Sequence, residues 1–331
     1  MRDFARCLAL VGAALLLAAP AVMTAAAAAD WKPERTIEIV VPSAPGGGLD
    51  VTGRTLQHIL QDGKVITTAS TVVNKPGGSG TVGIAYIDQH KGDAHYICVQ
   101  SPPLLTNSIT GTTTLGLKDV TPVALLVTEE IIFSVAADSP IKTGADLAAM
   151  LKKDSSSVSI AVSSSPGGHS HAAAALVAKA AGGDPKKLKM VFFGSGAEAA
   201  TALLGGHVML AATPASSILG HRQAGKLRVI GIPTDKRLPG ALADVPTFKE
   251  QGLDVVFSAW RALVGPKDMT PAQLAWWDET LAKVVATPEW KTSAERNEWT
   301  LDYRNSKQVG AFFDDQSQKL VAVLGELGLA K

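Results

Sequence analysis

Two short runs carry the residue types that grip a small anion. One is PSAPGGGLD at residues 42–50, and the other is SSSPGGHSH at residues 163–171. Ser43 in the first run, and Ser163, Ser164 and Ser165 in the second, offer hydroxyl donors. Gly46, Gly47 and Gly48, like Gly167 and Gly168, carry no Cβ, so the chain can turn sharply and a ligand can approach the backbone closely. A β-branched strand run precedes each loop, IEIVV before the first and VSIAV before the second. A helical pattern follows each, starting near Gly48 and near His169. The first backbone N–H groups of a helix have no partner within it, so such a tip binds anions.

Other arrangements point less clearly to chemistry. His169 and His171 form an H-x-H pair, but residues two apart on a helix face different ways and no carboxylate or thiol lies near them in sequence. No metal site is expected, and His169 reads as a polar contact to a ligand or a cap. Gly78, Gly80 and Gly83 spell G-x-G-x-x-G between a strand and a helix. A dinucleotide site also needs an acid at the end of the next strand, and HYICVQSPP supplies none, so no cofactor is expected. The nucleophile elbow, the P-loop and C-x-x-C are all absent from the sequence. Nothing asks for an enzyme, although a secreted α/β hydrolase using His169 or His171 as base is an alternative.

The elements that position these loops recur along the chain. Strand, glycine- or serine-rich loop and helix appear again at KLKMVFFGSGAEAATALLGG, with Ser195 in the loop and Glu198 in the first helical turn. VMLAATPASSILGHRQAG repeats the order, with Thr213 at the turn. KDVTPVALLVTEEIIFSVAAD reads as two strands or one long bent one, the kind of connector two lobes require. Beyond Thr270 the chain reads as mostly helical, with a last helix from about Ser306 to Leu324 ended by Gly325.

Composition narrows the class. Residues 1–29 have basic Arg2 and Arg6, an apolar run and a tract of alanines, the pattern of a cleaved secretory signal. The later run VALLVTEEIIFSV is broken by Glu129 and Glu130 and is not a membrane span. The expected product is therefore an exported, periplasmic protein. Its one remaining cysteine, Cys98, sits in a strand-like run and reads as a buried thiol. With 31 basic against 30 acidic residues in 331, no nucleic-acid-binding surface is indicated, and the length suits two lobes.

Taken in order, VPSAPGGGLDVTGR, VVNKPGGSGTVGIAYI, VQSPPLL, DVTPVALLV, SSPGGHSH, FFGSGAEAATALLGGHV, DVPTFKEQG and WRALVGP resemble the substrate-binding proteins of tripartite tricarboxylate transporters, the TctC or Bug family. The resemblance covers essentially the whole chain after the leader. It implies an α/β, two-lobed, type II periplasmic-binding-protein fold that closes like a flytrap. Lobe 1 would comprise residues 30–131 and 254–331, and lobe 2 residues 132–253. It also implies a monomer, no catalysis and no cofactor, a citrate-like carboxylate ligand, and large and small membrane subunits as partners. A sensor that presents its ligand to a receptor is the remaining alternative. In this family a ligand carboxylate sits between two strand-to-helix loops, which map here onto residues 43–50 and 163–170. The expected contacts are Ser43, Ala44 and the amides of Gly46, Gly47 and Gly48 on one wall, with Asp50 ordering that loop. Ser164, Ser165, Gly168, His169 and Ser170 form the other wall, and Ser101, Ser195 and Thr213 are secondary. Arg54 is expected to pair with Asp50, while Trp260 and Arg261 lie on the strand returning to lobe 1.

Overall fold

The computed structural model describes residues 31–163 and 166–331. The leader, and with it the signal-peptide expectation, lies outside these residues, as do Ser164 and Ser165. The first part of the chain runs β1 (Ile37–Val41), α1 (Gly48–Gln61), β2 (Ser70–Asn74), α2 (Thr81–Asp88), β3 (Tyr96–Gln100), α3 (Pro103–Ile109) and β4 (Val120–Ala136). The middle runs α4 (Gly144–Lys153), β5 (Ser159–Val162), α5 (His169–Ala180), β6 (Lys189–Phe192), α6 (Gly196–Leu204), β7 (Leu210–Pro214), α7 (Leu219–Gln223) and β8 (Leu227–Gly231). The chain ends with β9 (Ser258–Pro266), α8 (Pro271–Ala286), α9 (Pro288–Asn297), β10 (Trp299–Arg304) and α10 (Ser306–Glu326).

The strands form one mixed sheet in the order β2-β1-β3-β9-β4-β7-β5-β6, with β10 and β8 also paired to β4. The two ends of this order repeat each other. β1 lies between parallel neighbours β2 and β3, as β5 lies between parallel β6 and β7. In each trio the central strand feeds a glycine loop and then a helix, α1 or α5. β4 joins the trios. Its residues up to Glu130 pair with β9, and from Ile131 onward they pair with β7 and β8.

This division follows burial. Ile37, Ile39, Val41, Leu56, Leu60, Trp277, Leu281 and Val284 pack in one core on the β1 side. Phe133, Leu147, Leu151, Ile160, Val162, Val177 and Phe248 form another on the β5 side. At roughly 1.5–3 kcal/mol per fully buried large apolar side chain, these clusters dominate the stabilisation of each half. Cys98 is fully buried in β3, and burial pushes its thiol up to about 12, so it packs as an inert apolar group.

Three local expectations need correction. Thr213 lies inside β7, fully buried, and not at the turn after it. Gly325 lies within α10, and Gly328, at φ 70°, follows its end, because only there must the backbone turn left-handed. β10 interrupts the C-terminal helices. Its alternation in WTLDYR is that of a half-exposed strand, and pairing with β4 decides the matter.

Candidate functional site

The helices of nine residues or more differ in how they begin. Thr143, Ser195, Thr270, Thr287 and Asn305 cap α4, α6, α8, α9 and α10 with side-chain oxygens. α1 and α5 start instead from Gly47 and Gly168, which supply no side-chain cap. A side-chain cap stabilises a helix by about 1 kcal/mol, so both starts leave N–H groups available for an outside acceptor.

The loops before these two helices share a backbone. Gly46 and Gly167 both sit at φ 82°, a left-handed conformation that disfavours any side chain. Gly47 and Gly168 then return to extended backbone at φ −76° and −71°. In the first loop the Gly46 amide donates to Asp50 Oδ2 at 2.8 Å. In the second the Gly167 amide donates to His171 Nδ1 at 2.8 Å. The bond spans four residues in each, so one acceptor position on the helix closes each turn.

The first loop is held further by charge. Arg54 Nε donates to Asp50 Oδ2 at 2.8 Å, and Asn74 Nδ2 donates to Asp50 Oδ1 at 2.8 Å and to the Ser43 carbonyl at 3.0 Å. Burial alone would raise the Asp50 carboxyl, but these bonds outweigh it and hold it below the usual carboxylate range. His171 carries no such network, and burial lowers its pKa.

Both loops face one cleft of about 960 Å³. Ser43, Ala44, Gly46, Gly47 and Gly48 line it from one side, and Ser163, His169 and Ser195 from the other. Ser101 lines it at the end of β3. Asp50, Gly168, Ser170 and Thr213 are not among the lining residues. Asp50 lies beneath its loop, and the Ser170 hydroxyl is 3.2 Å from that of Ser163. The Thr213 hydroxyl is buried without a partner. Burial, with a smaller contribution from Arg261, lowers His169 to about 3, so its ring is neutral at ordinary pH.

The sequence did not reveal what lies across the middle of the cleft. Arg261 from β9, only 3 % exposed, is ion-paired through Nη2 with Glu129 of β4. Ser216, after β7, donates to the other Glu129 oxygen at 2.8 Å. A Cβ at Gly48 would lie 3.0 Å from Arg261 Nη2, so the absent side chain there lets the guanidinium reach the tip of α1. Gln100, Phe192, Phe193 and Trp299 line the same space. The turn at Gly77, Ser79 and Gly80 lines the cleft as well, so the G-x-G-x-x-G run contributes wall; Gly83 fits tightly against Pro42.

Comparison with known proteins gives one answer. The profile of the tripartite tricarboxylate transporter family receptor, TctC, matches residues 56–329. A UPF0065 protein from the gbd 5′ region of Cupriavidus necator is 29 % identical over 315 residues, 94 % of this chain and 93 % of that protein. The crystal structure of a TctC solute binding protein from Polaromonas, solved without ligand, is 28 % identical, with a TM-score of 0.71 over 89 % of this chain and 99 % of that one. MatC from Rhodopseudomonas palustris, solved with bound malate, shares the fold at 21 % identity, with a TM-score of 0.75 over 91 % of this chain and 100 % of that one. The matched family is one of substrate-binding receptors and not of enzymes, and the Polaromonas protein is a solute binding protein.

Proposed function

The chain belongs to the tripartite tricarboxylate transporter receptor family, and on that premise we propose that it captures a small organic carboxylate in the periplasm and hands it to the large and small membrane subunits of such a transporter. Among the described residues no helix is long and apolar enough to cross a membrane. The observation that carries the reading is the pair of glycine-started helix tips, α1 and α5, whose loops line one cleft. The malate bound to MatC, a protein of the same fold, is in keeping with it.

The energetics favour a ligand held from both sides. A helix tip favours an anion by about 0.3–1 kcal/mol, and by up to ~2 in partly buried geometry. Micromolar affinity needs about 8 kcal/mol. Charge-assisted hydrogen bonds at roughly 1.5–3 kcal/mol each supply the remainder, and enough of them form only when both loops reach the ligand. The closed state is then selected because only it makes both sets of contacts. In this reading lobe 1 is residues 30–131 with 254–331, lobe 2 is 132–253, and β4 and β9 are the crossovers. The ligand contacts are Ser43, Ala44 and the loop-1 amides on one side and Ser164, Ser165, His169 and the amides at Gly168 and Ser170 on the other, with Ser101 and Ser195 flanking.

Calorimetric titration of the purified protein with citrate, malate and adipate tests the reading, citrate standing for the tricarboxylates that the sequence put first. Binding of at least one acid is expected, and its loss in Gly47→Leu and Gly168→Leu variants that melt as the parent does. Undiminished affinity in both variants would remove the loops from the site.

A further inference from the structure

The cleft has an unusual charge inventory for an acid-binding site. Among the described residues lining it, Arg261 and Glu198 alone carry a formal charge at neutral pH, His169 being neutral. The Arg261 charge is already balanced by buried Glu129. Glu198 is exposed, with its carboxylate accepting from the Gly194 amide at 3.0 Å. The side chains around the cavity therefore sum to no positive charge. The loop amides are dipoles that can satisfy one carboxylate. A second or third would give up water with no free cation to meet it, and Glu198 would repel it.

The apolar part of the wall points the same way. Phe192, at the end of β6, is 40 % exposed, an unusual position for a large aromatic side chain. It lines the cleft together with Phe193, Trp299, Leu49 and Val51. Its ring stands edge-on to His171, the residue that closes the second glycine loop, with centroids 5.5 Å apart. Aromatic surface beside a few convergent polar groups is how small-molecule sites hold the body of a ligand.

We propose that the ligand is an acid with one carboxylate on an apolar body of about ring size, held by its charge at the paired glycine loops and by its body against Phe192, Phe193 and Trp299. This rests on the carboxylate reading above and narrows it, reversing the order in which a tricarboxylate stands first. Calorimetry at fixed ionic strength with 3-phenylpropionate, 3-phenylpropanol, adipate and citrate tests it. The phenyl acid binds at least tenfold more tightly than citrate or adipate, and Phe192→Ser weakens the phenyl acid at least fivefold while the variant keeps the parent's melting temperature. A smaller margin over either polyacid, or a smaller effect of Phe192→Ser, overturns the proposal and leaves a carboxylate site standing. If 3-phenylpropanol binds as tightly as the acid, or if no acid binds, the carboxylate reading fails as well.

Discussion

The loops at residues 42–50 and 163–171 build the same turn at the tip of a helix, yet one is fastened by charge and the other by a neutral ring. Asp50 and His171 occupy the same place, four residues after the glycine at φ 82°, and each accepts that glycine's amide at 2.8 Å. Asp50 also takes Arg54 and Asn74, which bind the loop to α1 and β2. His171 is supported by packing, including the edge of Phe192. The difference teaches that the turn fixes its glycines and leaves the closing acceptor free to vary, since any acceptor at that reach pairs the amide.

The largest expected effect comes from removing the two acceptors. Asp50→Ala removes the acceptor of the Gly46 amide, of one Asn74 N–H and of Arg54 and is expected to cost roughly 2–3 kcal/mol, whereas His171→Ala loses one neutral bond and some packing and costs about 1–2. Arg54 is about half exposed and can return to water, which limits the first figure. Urea denaturation measures both, and equal losses would break the contrast between a charged and a neutral closure.

A smaller difference is expected at the left-handed glycines themselves. A Cβ at Gly46 meets nothing within 4 Å, so Gly46→Ala carries only the backbone penalty, about 1 kcal/mol. A Cβ at Gly167 would lie 2.8 Å from Thr110 Cγ2, so Gly167→Ala adds a clash and is expected to cost about 2 kcal/mol. The same denaturation experiment compares them, and a larger loss at Gly46 would show the second loop to be the looser.

A further contrast is one of pH. His169 is lowered from 6.5 to about 3 and His171 is also lowered, so their stabilisation is complete above 6.5 and is lost as pH falls toward the folded values. Asp50 is held below 3.8, so the first loop keeps its ionised acceptor from 6.5 down to at least that pH. Glu130 acts in the opposite sense. Burial raises it to about 7 despite the Ser258 bond, with Glu129 adding to the rise, so its contribution is complete below 4.5 and is lost as pH rises through 7. The two opposing trends make a local probe the sharper one. Ring resonances of His169 are expected to stay those of a neutral imidazole from pH 6.5 to about 3, and an ordinary titration near 6.5 would contradict its burial.

Much of this architecture was legible because it is local. Residues 45–47 and 166–168 are both Pro-Gly-Gly, and each follows a β-branched run and opens a helix. Helix starts at Gly48 and His169 follow from that pattern. Thr213 was misplaced because Pro214 reads as a residue that ends a strand before it, whereas it is the last residue of β7 and the turn begins only at Ala215. β10 was missed because a six-residue strand between helices gains its identity from its partner, β4.

By itself the sequence determined the two glycine turns, the helix tips they open and the apolar strands behind them. Each of these depends on neighbours a few residues away, through backbone sterics and the alternation of side chains. Only the tertiary structure decided that the tips share a cleft, that Arg261 finds Glu129 across 132 positions of chain, and that Phe192 is left partly bare on the wall. A buried charge is tolerated only beside its counter-charge, and which residues meet there is set by how β9 and β4 cross and not by spacing along the chain.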